Sequence, residues 1–390
     1  MISRIIVPIL VLLLLSDAYV YWQFVSKLRK HKLLCTAVWA AQSLAMVAYS
    51  IALAASRNFA PAEIGVQNCY LTLLGTWAVP KFVFTVCSFL GWGHCRYHKT
   101  KTYWGNYAGI IAGVVLASVS LYGFTSGFYR IRVRHVTFVS ADLPASFDGY
   151  RIVQFCDAHV GTYSGSRAYM LKALADSINS QQADMIAFTG DLQNMQPGEI
   201  YPHKAILSSL KAKDGVFSIL GNHDYAYYID ASESERLQKY TEMRDLQRSM
   251  GWKLLLNENR IIRRGNDSIV VAGMEFEGKS ARVPNFGNLR QTLHGINQGK
   301  AFVLMLQHDP TSWRTDILPH SKAQLTLSGH THAGQVCLFG WSPASLKYSE
   351  WGGLYYEGGR ALNVSTGVGG LVPFRLGCPG EIVVIELKRK

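Results

Sequence analysis

The chain has 390 residues, which is too long for one compact domain and suits two or three. Hydrophobic residues make up 49% of it and the formal net charge is +13, a combination that argues against an ordinary soluble enzyme. Because no long basic run or basic aromatic platform is present, the charge points to an anionic membrane surface and not to nucleic acid. The seven cysteines show no CxxC spacing, so neither a disulfide framework nor a structural zinc site is expected.

Four apolar stretches occupy the first third of the chain, at about residues 5–23, 33–55, 69–92 and 103–124. Each is close to the ~20 residues that an α-helix needs to cross a ~30 Å hydrocarbon core. The first ends in "LLLLSDAYVYW", which lacks the cleavage pattern of a signal peptide, and three more stretches follow it. The sequence therefore predicts four transmembrane helices in residues 1–126 of a multi-pass integral membrane protein, with the lipid bilayer as a partner.

Basic residues in the connections between these stretches predict the orientation. They are Lys27, Arg29, Lys30 and Lys32 in the first connection, and Arg96, Lys99 and Lys101 in the third. The second connection holds Arg57 beside Glu63. The positive-inside rule then places the first and third connections in the cytoplasm. Both termini, and everything after the fourth helix, are expected on the outer side.

Three arginines just after the fourth stretch weigh against this orientation. Arg130, Arg132 and Arg134 would favour a cytoplasmic position for the segment that contains them. They alternate with Ile131 and Val133, and a β-strand with one solvated face gives the same alternation. We expect the strand, which leaves the outer orientation in place.

Two ionisable residues fall inside the predicted spans. Asp17 and Lys81 each lie about twelve residues into their spans, and because helices one and three run in the same direction the two reach a similar depth. A lone charge at the bilayer centre costs ~2.5–3.5 kcal/mol, which favours an ion pair between them. The alternative is that Asp17 lies near the cytoplasmic headgroups and Lys81 extends toward the membrane surface.

Beyond the helices, the sequence alternates short β-rich runs with helical or loop segments, which predicts an α/β domain over residues 127–390. Strands are expected at residues 151–155, 183–188, 215–220, 301–306, 323–327 and 381–387. Residues 261–274 predict a hairpin that turns on Gly265-Asn266-Asp267. Helical periodicity predicts helices at residues 169–178 and 232–250.

Polar side chains of metal-ligand type follow five of these strands. They are Asp157 and His159, Asp191, Asn222 and His223, His308, and His330 and His332. Ligands of open α/β sheets bind beyond the carboxyl ends of strands, so these residues are expected to meet at one place. Imidazoles, carboxylates and an amide suit a site for two borderline divalent metal ions. A lone histidine is ordinarily a surface or core residue and Asn222 alone can cap a turn, so the five clusters together carry the prediction.

Five motifs, in this order, resemble those of the calcineurin-like metallophosphoesterases. They are Asp157-x-His159, Gly190-Asp191, Gly221–Asp224, His308–Pro310 and Gly329–His332. The resemblance covers roughly residues 128–390, and "GHTHAGQ" together with the tail "STGVGG" is similar to a membrane-associated bacterial branch. Some wider relatives of that branch hydrolyse UDP-diacylglucosamine. The resemblance implies a two-sheet β-sandwich flanked by helices, with the metals at its edge, and a place in the bacterial cytoplasmic membrane.

The resemblance also assigns metal ligands. One ion would take Asp157, His159 and His332, the other would take Asn222, His308 and His330, and Asp191 would bridge the two. The cofactors implied are two divalent ions of manganese, zinc or iron. Every motif position is filled, so the sequence gives no sign of a degenerate site.

Two such metals can clamp a phosphoryl oxygen and share a hydroxide, which then attacks phosphorus in line with the leaving oxygen. His223 stands beside ligand Asn222 without being needed as a ligand. It is therefore the candidate general acid or oxyanion stabiliser, and Asp224 is expected to orient its ring.

Aromatic residues near these motifs bear on the substrate. They crowd the segments 339–359 and 225–228, which either line a mouth for a lipid tail or form a packed cap. With four membrane helices attached, the leading prediction is a phosphohydrolase that cleaves a phosphate ester or pyrophosphate of a phosphorylated lipid or lipid-linked substrate, either UDP-diacylglucosamine-like or a phospholipid. The alternatives are the same chemistry on a soluble ester with the helices as an anchor, and a non-catalytic membrane sensor on the same fold.

Overall fold

The computed structural model describes residues 2–56, 61–280 and 282–390. The chain forms two compact units, Met1–Thr125 and Ser126–Lys390. Arg57, on which part of the orientation prediction rests, lies outside the described residues.

The first unit is helical. Its helices are α1 (Ile2–Gln23), α2 (Lys32–Ala55), α3 (Pro61–Leu73), α4 (Val79–His98) and α5 (Trp104–Tyr122). Within the described residues, four segments are long and apolar enough to span a membrane: Ile5–Lys27, Lys32–Ala55, Gly65–His98 and Trp104–Gly127.

The third span differs from its prediction of residues 69–92. It has 34 residues, because α3 continues through the wider turn Leu74–Ala78 into α4. Pro80 follows that turn at the start of α4, where a proline ring and its missing N–H are tolerated. A proline inside an apolar run therefore marks a local widening of this helix and not its end.

Small residues let α4 and α5 approach closely. A Cβ atom added to Gly91 would lie 2.7 Å from the Cα of Gly105, and one added to Gly105 would meet the carbonyl oxygen of Cys87. Close backbone contact at small residues is the usual way in which helices pack inside a membrane, where burial of apolar surface gives no net gain.

The predicted contact between Asp17 and Lys81 is confirmed. The Lys81 ammonium nitrogen lies 2.6 Å from Asp17 Oδ1, and Asp17 is only 3% exposed. Gln42 Nε2 donates to the same oxygen at 3.1 Å, and its own Oε1 accepts from Trp77 Nε1 at 2.8 Å. One lysine and a short polar chain thus neutralise and position the buried carboxylate.

The second unit is an α/β sandwich, as predicted. Its strands are β1 (Ile131–Ser140), β2 (Arg151–Phe155), β3 (Met185–Phe188), β4 (Val216–Ser218), β5 (Lys253–Leu254), β6 (Glu258–Arg264), β7 (Asp267–Gly273), β8 (Phe302–Leu306), β9 (Leu325–Ser328), β10 (Gly353–Glu357), β11 (Arg360–Val364) and β12 (Gly380–Arg389). Its helices are α6 (Ala168–Ser180), α7 (Lys204–Leu207), α8 (Glu233–Ser249), α9 (Leu289–Thr292) and α10 (Leu318–His320).

Two six-stranded sheets form the sandwich. Their orders are β1-β12-β2-β3-β4-β5 and β10-β11-β9-β8-β7-β6. Buried side chains from both sheets fill the space between them, among them Ile152 and Phe217 of the first and Leu304 and Leu327 of the second. Helices α6 and α8 pack on the outer face of the first sheet, and the segment around Trp313 covers the second.

Most predicted strands occur close to their expected bounds. The hairpin of β6 and β7 pairs Arg264 with Asp267, next to the predicted turn. The strand predicted for the post-helix arginines is confirmed as β1, where Arg132 and Arg134 reach the buried Glu381 carboxylate at 2.7 and 3.0 Å. Strand β4 is shorter than predicted, since the chain leaves the sheet after Ser218.

Candidate metal centre

The segments that follow β2, β3, β4, β8 and β9 meet at one edge of the sandwich. Strands β2, β3 and β4 are parallel neighbours in the first sheet, and β8 and β9 are parallel neighbours in the second. In the part of the chain that the structure describes, two groups of possible metal ligands result, one of Asp157, His159, Asp191 and His332, and one of Asp191, His308 and His330. In each group the ligand atoms lie within 4.8 Å of one another. Asp191 belongs to both groups.

In the first group, four side chains converge on one point. His159 Nε2 lies 3.3 Å from His332 Nε2 and 3.7 Å from Asp191 Oδ2. His332 Nε2 is also 3.3 Å from Asp157 Oδ1. Asp157 and His159 are completely buried, which leaves His332 as the more accessible side chain.

The second group centres on His308. Its Nε2 atom lies 3.2 Å from Asp191 Oδ2, 3.2 Å from Asn222 Oδ1 and 3.3 Å from His330 Nδ1. Asn222 joins this group through an amide oxygen, which is a hard donor that suits a divalent cation. All seven side chains that the sequence predicts as metal ligands are thus close neighbours.

Hydrogen bonds on the far side of two imidazoles fix which nitrogen faces inward with a lone pair. His159 Nδ1 lies 3.1 Å from the Gln193 carbonyl oxygen and His308 Nδ1 lies 2.7 Å from that of Thr189. A carbonyl oxygen only accepts, so each Nδ1 carries a proton, and each Nε2 presents a lone pair to the cluster whenever its ring is neutral. Facing lone pairs and carboxylate oxygens repel one another, and a divalent cation between them turns that repulsion into coordination. The donor set therefore fits metal ions.

The protonation states of the buried groups also indicate that the site suits metal ions. Burial and the neighbouring imidazoles or cations lower the pKa of His159 and of His332 to about 3, so both rings are neutral. Although burial opposes its charge, Asp191 keeps a pKa well below the ordinary value because of His308 and His223. Burial also disfavours a charged His308, but the Asp191 carboxylate outweighs it and raises the pKa of His308 to about 10. A bound metal ion would take the place of that proton.

The backbone at the site is strained. Five of the candidate ligands have left-handed backbone angles, with φ of 52° at Asp157, 44° at His159, 63° at Asp191, 73° at His330 and 51° at His332. Such conformations are uncommon for residues other than glycine and gather at functional sites. The sandwich holds the turns in these conformations, which aim the side chains at one another.

Two glycines leave room for the carboxylates. A Cβ atom on Gly329 would lie 2.6 Å from Asp157 Oδ2, and one on Gly221 would overlap the Asp191 carboxylate. Both positions therefore need a residue without a side chain.

Comparison with known proteins identifies this arrangement. Residues 150–334 match the family model for calcineurin-like phosphoesterases, a range that contains every residue of both groups. The chain belongs to the calcineurin-like phosphoesterases. Residues 3–128 match a second family model, the transmembrane domain of probable calcineurin-like phosphoesterases with four membrane helices. The chain is thus an integral membrane protein that carries a metal-dependent phosphoesterase domain.

Relatives occur in distant organisms. YkuE, an uncharacterized metallophosphoesterase of Bacillus subtilis, is 28% identical over 298 residues, or 73% of this chain and 95% of that protein. A transmembrane protein with metallophosphoesterase domain from Bos taurus is 26% identical over 402 aligned residues, or 97% of this chain and 87% of that protein. Among solved structures, phosphopantetheinyl hydrolase from Mycobacterium tuberculosis is similar with a TM-score of 0.37 and 12% identity, over 58% of this chain and 91% of that one.

The phosphoesterase site holds His223 differently from the prediction. Asp224 was expected to orient the His223 ring, but its carboxylate instead accepts four backbone N–H groups, those of Gly221, Asp191, Leu192 and Gln193. The ring is held by the Asn194 carbonyl oxygen, 2.5 Å from its Nδ1 atom. The physical reason is that Asp224 lies in a tight turn and points back into the loop after β3. Asp224 therefore shapes the backbone around Asp191, and burial together with Asp191 raises its own pKa to about 7.

Three further side chains touch the phosphoesterase site without having been predicted there. Asp309 Oδ2 lies 3.5 Å from His330 Nε2 and Tyr348 Oη lies 3.0 Å from the same atom, on the side of the ring away from His308. The Tyr228 oxygen accepts from Asn222 Nδ2 at 2.7 Å, and its ring stacks on His223 with centroids 4.1 Å apart. Asp309 belongs to the His308–Pro310 motif, Tyr228 to the aromatic segment 225–228 and Tyr348 to the aromatic segment 339–359. The sequence therefore contains a pattern that could have predicted each of them at the site.

The aromatic segment 339–359 forms in part the packed cap that the sequence predicts. Tyr348 is 8% exposed and packs against the site, while the Tyr355 hydroxyl bonds to the backbone at Gly352, as in a packed cap. Phe339 and Trp341, by contrast, project into solvent.

Proposed function

We propose that the chain is a membrane-anchored phosphohydrolase with two divalent metal ions, acting on a phosphate ester or pyrophosphate of a lipid or lipid-linked substrate. One observation carries the proposal, namely two groups of metal-ligand side chains that share the buried Asp191, on a chain with four membrane-length helices. A UDP-diacylglucosamine-like molecule and a phospholipid are the leading substrates.

The two groups supply complementary ligand sets. Asp157, His159 and His332 would hold one ion, Asn222, His308 and His330 the other, and Asp191 would contact both. Bound there, two divalent cations supply a nucleophilic water at neutral pH and neutralise charge on the phosphoryl oxygens. Manganese, zinc and iron are the candidates that suit this mixture of nitrogen and oxygen donors.

His223 is placed to handle the proton of the leaving group. Its Nδ1 atom is engaged by the Asn194 carbonyl, which leaves Nε2 as the atom that can donate to substrate. Its backbone N–H donates to Asp191 Oδ1 at 2.8 Å, so the shared carboxylate and the proton donor hold a fixed relation. His223 thus acts as general acid or as a stabiliser of the leaving oxygen, while Asp224 positions the loop beneath it.

The phosphoesterase domain is proposed to lie on the outer side of a bacterial cytoplasmic membrane. The seven Lys and Arg of the first and third connections support this orientation. A reporter active only outside the cytoplasm, fused after Lys390, should be active, and a reporter active only inside should be silent. The reverse pattern would place the domain in the cytoplasm and would favour a nucleotide-linked lipid on that side as the substrate.

A phosphate-release screen tests the activity. The full chain in detergent is supplied with Mn²⁺, Zn²⁺ or Fe²⁺ and offered lipid phosphates, UDP-diacylglucosamine and soluble esters. We expect the highest kcat/KM on a lipid-linked substrate. A preference for soluble esters would make the helices an anchor alone, and no turnover with any metal would favour a non-catalytic sensor.

A further inference from the structure

Two cations stand beside the site, each against the ring of a tyrosine. The Arg282 guanidinium carbon lies 5.6 Å from the Tyr228 ring centre, and Lys347 Nζ lies 4.8 Å from that of Tyr348. Both cations are exposed, whereas the tyrosines are half-buried or buried. Such cation–ring contacts hold a long flexible side chain in one place.

Tyr228 connects Arg282 to the reacting centre. Its ring lies nearly parallel to that of His223, at an angle of 10°, and its hydroxyl accepts the Asn222 Nδ2 proton. The same ring thus contacts both the imidazole of His223 and the Arg282 guanidinium. Tyr228 therefore places Arg282 close to the proposed proton donor.

Tyr348 connects Lys347 to the second group of ligands. The Tyr348 oxygen lies 3.0 Å from His330 Nε2, and the Lys347 ammonium sits over the same tyrosine ring. The site is thus bordered by one cation next to His223 and one next to His330.

Neither cation is neutralised within the described residues. No carboxylate oxygen of that part of the chain lies within 4.0 Å of Arg282 or Lys347 in an ion pair, unlike Arg314, which binds Glu350 at 2.6 Å. Positioned charges without an internal partner are available to an anion from outside.

We infer that Arg282 and Lys347 bind a second anionic group of the substrate, beyond the phosphoryl group that is cleaved. This inference rests on the proposed function, in which the metal ions already balance the charge of the cleaved phosphoryl group. Arg282 lies on the His223 side, where the leaving group departs, so the second anion belongs to the leaving group. A diphosphate, or a phosphodiester whose leaving group carries another negative charge, fits this arrangement, and Arg282 offers its planar fork of donors to that group.

Two soluble diesters, one of phosphate and one of diphosphate, distinguish binding of the second anion from hydrolysis itself. Both substituents of bis(p-nitrophenyl) phosphate are neutral, whereas the leaving group of UDP-glucose carries a second phosphate. With the full chain and Mn²⁺, we expect Arg282→Ala to raise KM for UDP-glucose roughly tenfold, the size of one charge-assisted contact, and to leave KM for the other diester within about twofold. Arg282→Lys should recover part of the loss, and Lys347→Ala should give a smaller selective increase.

Lys279→Ala is the matched control, because Lys279 is an exposed cation three residues from Arg282. It should leave both KM values unchanged. Equal KM changes for the two diesters in Arg282→Ala, or turnover by the wild-type chain of bis(p-nitrophenyl) phosphate alone, would overturn the second-anion site while the proposed function stands. Absence of turnover on both diesters and on every lipid substrate of the phosphate-release screen, with every metal tried, would overturn the two together.

Discussion

Each unit of this protein buries a carboxylate, and the two carboxylates have different surroundings. Asp17, among the membrane helices, faces the ammonium of Lys81 at 2.6 Å. Asp191, in the phosphoesterase domain, faces the imidazoles of His308 and His159 at 3.2 and 3.7 Å. The chain itself thus supplies the partner of Asp17. Beside Asp191 the countercharge is the exchangeable proton of His308, which an incoming metal ion would displace.

This comparison separates a carboxylate that holds helices together from one that holds a cofactor. A buried charge is costly unless it is paired, and the partner decides the role. Removing Asp17 should change stability alone, whereas removing Asp191 should change metal content and catalysis.

The largest expected effect is that of Asp191→Ala. It removes the one carboxylate shared by both ligand groups, so metal content should fall from about two ions per chain toward zero. Activity should fall further than with any single histidine substitution. Metal content by atomic emission and phosphate release check this prediction. Asp176→Ala, at an exposed carboxylate paired with Lys172, should change neither quantity. Retention of two metals and normal turnover in Asp191→Ala would rule out a shared ligand.

His223→Ala should separate catalysis from metal binding. We expect both metals to stay and the rate to drop by roughly 10²–10⁴-fold, the usual size of a general-acid effect. The drop should be smaller for p-nitrophenyl phosphate, whose leaving group needs little proton donation. His294→Ala, at an exposed histidine, is the control. Equal losses for good and poor leaving groups would make His223 an electrostatic stabiliser and not a proton donor.

The membrane ion pair should show strong coupling in a double-mutant cycle. Asp17→Leu or Lys81→Leu leaves one buried charge without its partner, which costs about 3 kcal/mol of stability. The double substitution should recover most of this loss, because no unpaired charge remains. Thermal unfolding in detergent measures all three variants, and metal content should stay constant throughout.

Ser16→Ala is the matched control for this cycle. It removes a hydrogen bond to Leu12 within the same helix and leaves the ion pair intact, so only a small change is expected. Strictly additive effects of the two leucine substitutions would show that Asp17 and Lys81 act independently.

Metal uptake should release protons, the smallest effect expected here. His308 has a pKa of about 10 beside Asp191, so it is protonated at neutral pH in the metal-free protein and must lose that proton to become a ligand. Its raised pKa makes metal binding weaker as the pH falls below about 10. Calorimetric titration with Mn²⁺ at pH 7.5, in two buffers of different ionisation enthalpy, should give about one proton released per chain from this residue. Buffer-independent heats would contradict the role of His308.

Much of this site could be predicted from sequence, because each ligand lies in a polar, glycine-containing segment directly after an apolar run. That pattern marks the end of a buried strand, and the parallel order of the strands then brings separate segments together, as with Asp157 and Asp191. The Asp17–Lys81 contact was also predictable, since helix rise converts residue position into depth.

Other features depend on contacts that no local pattern records. Asp224 binds four backbone N–H groups, three of them more than thirty residues away, so its place in the motif does not predict that role. The Tyr348 contact with His330 depends on how an irregular segment of eighteen residues folds back. The widened turn before Pro80 lies inside an apolar run whose composition does not distinguish it from regular helix.

The left-handed backbone angles at five of the candidate ligands have a consequence for the order of assembly. Each such residue costs on the order of 1–3 kcal/mol, and only the packed sandwich can hold it in place. The turns can therefore adopt these angles only after both sheets have formed. Apoprotein folding precedes metal capture on this account, and the ions enter a site whose backbone needs no further rearrangement. Exchange of one metal for another should then be limited by loss of water from the incoming ion and not by refolding of the chain.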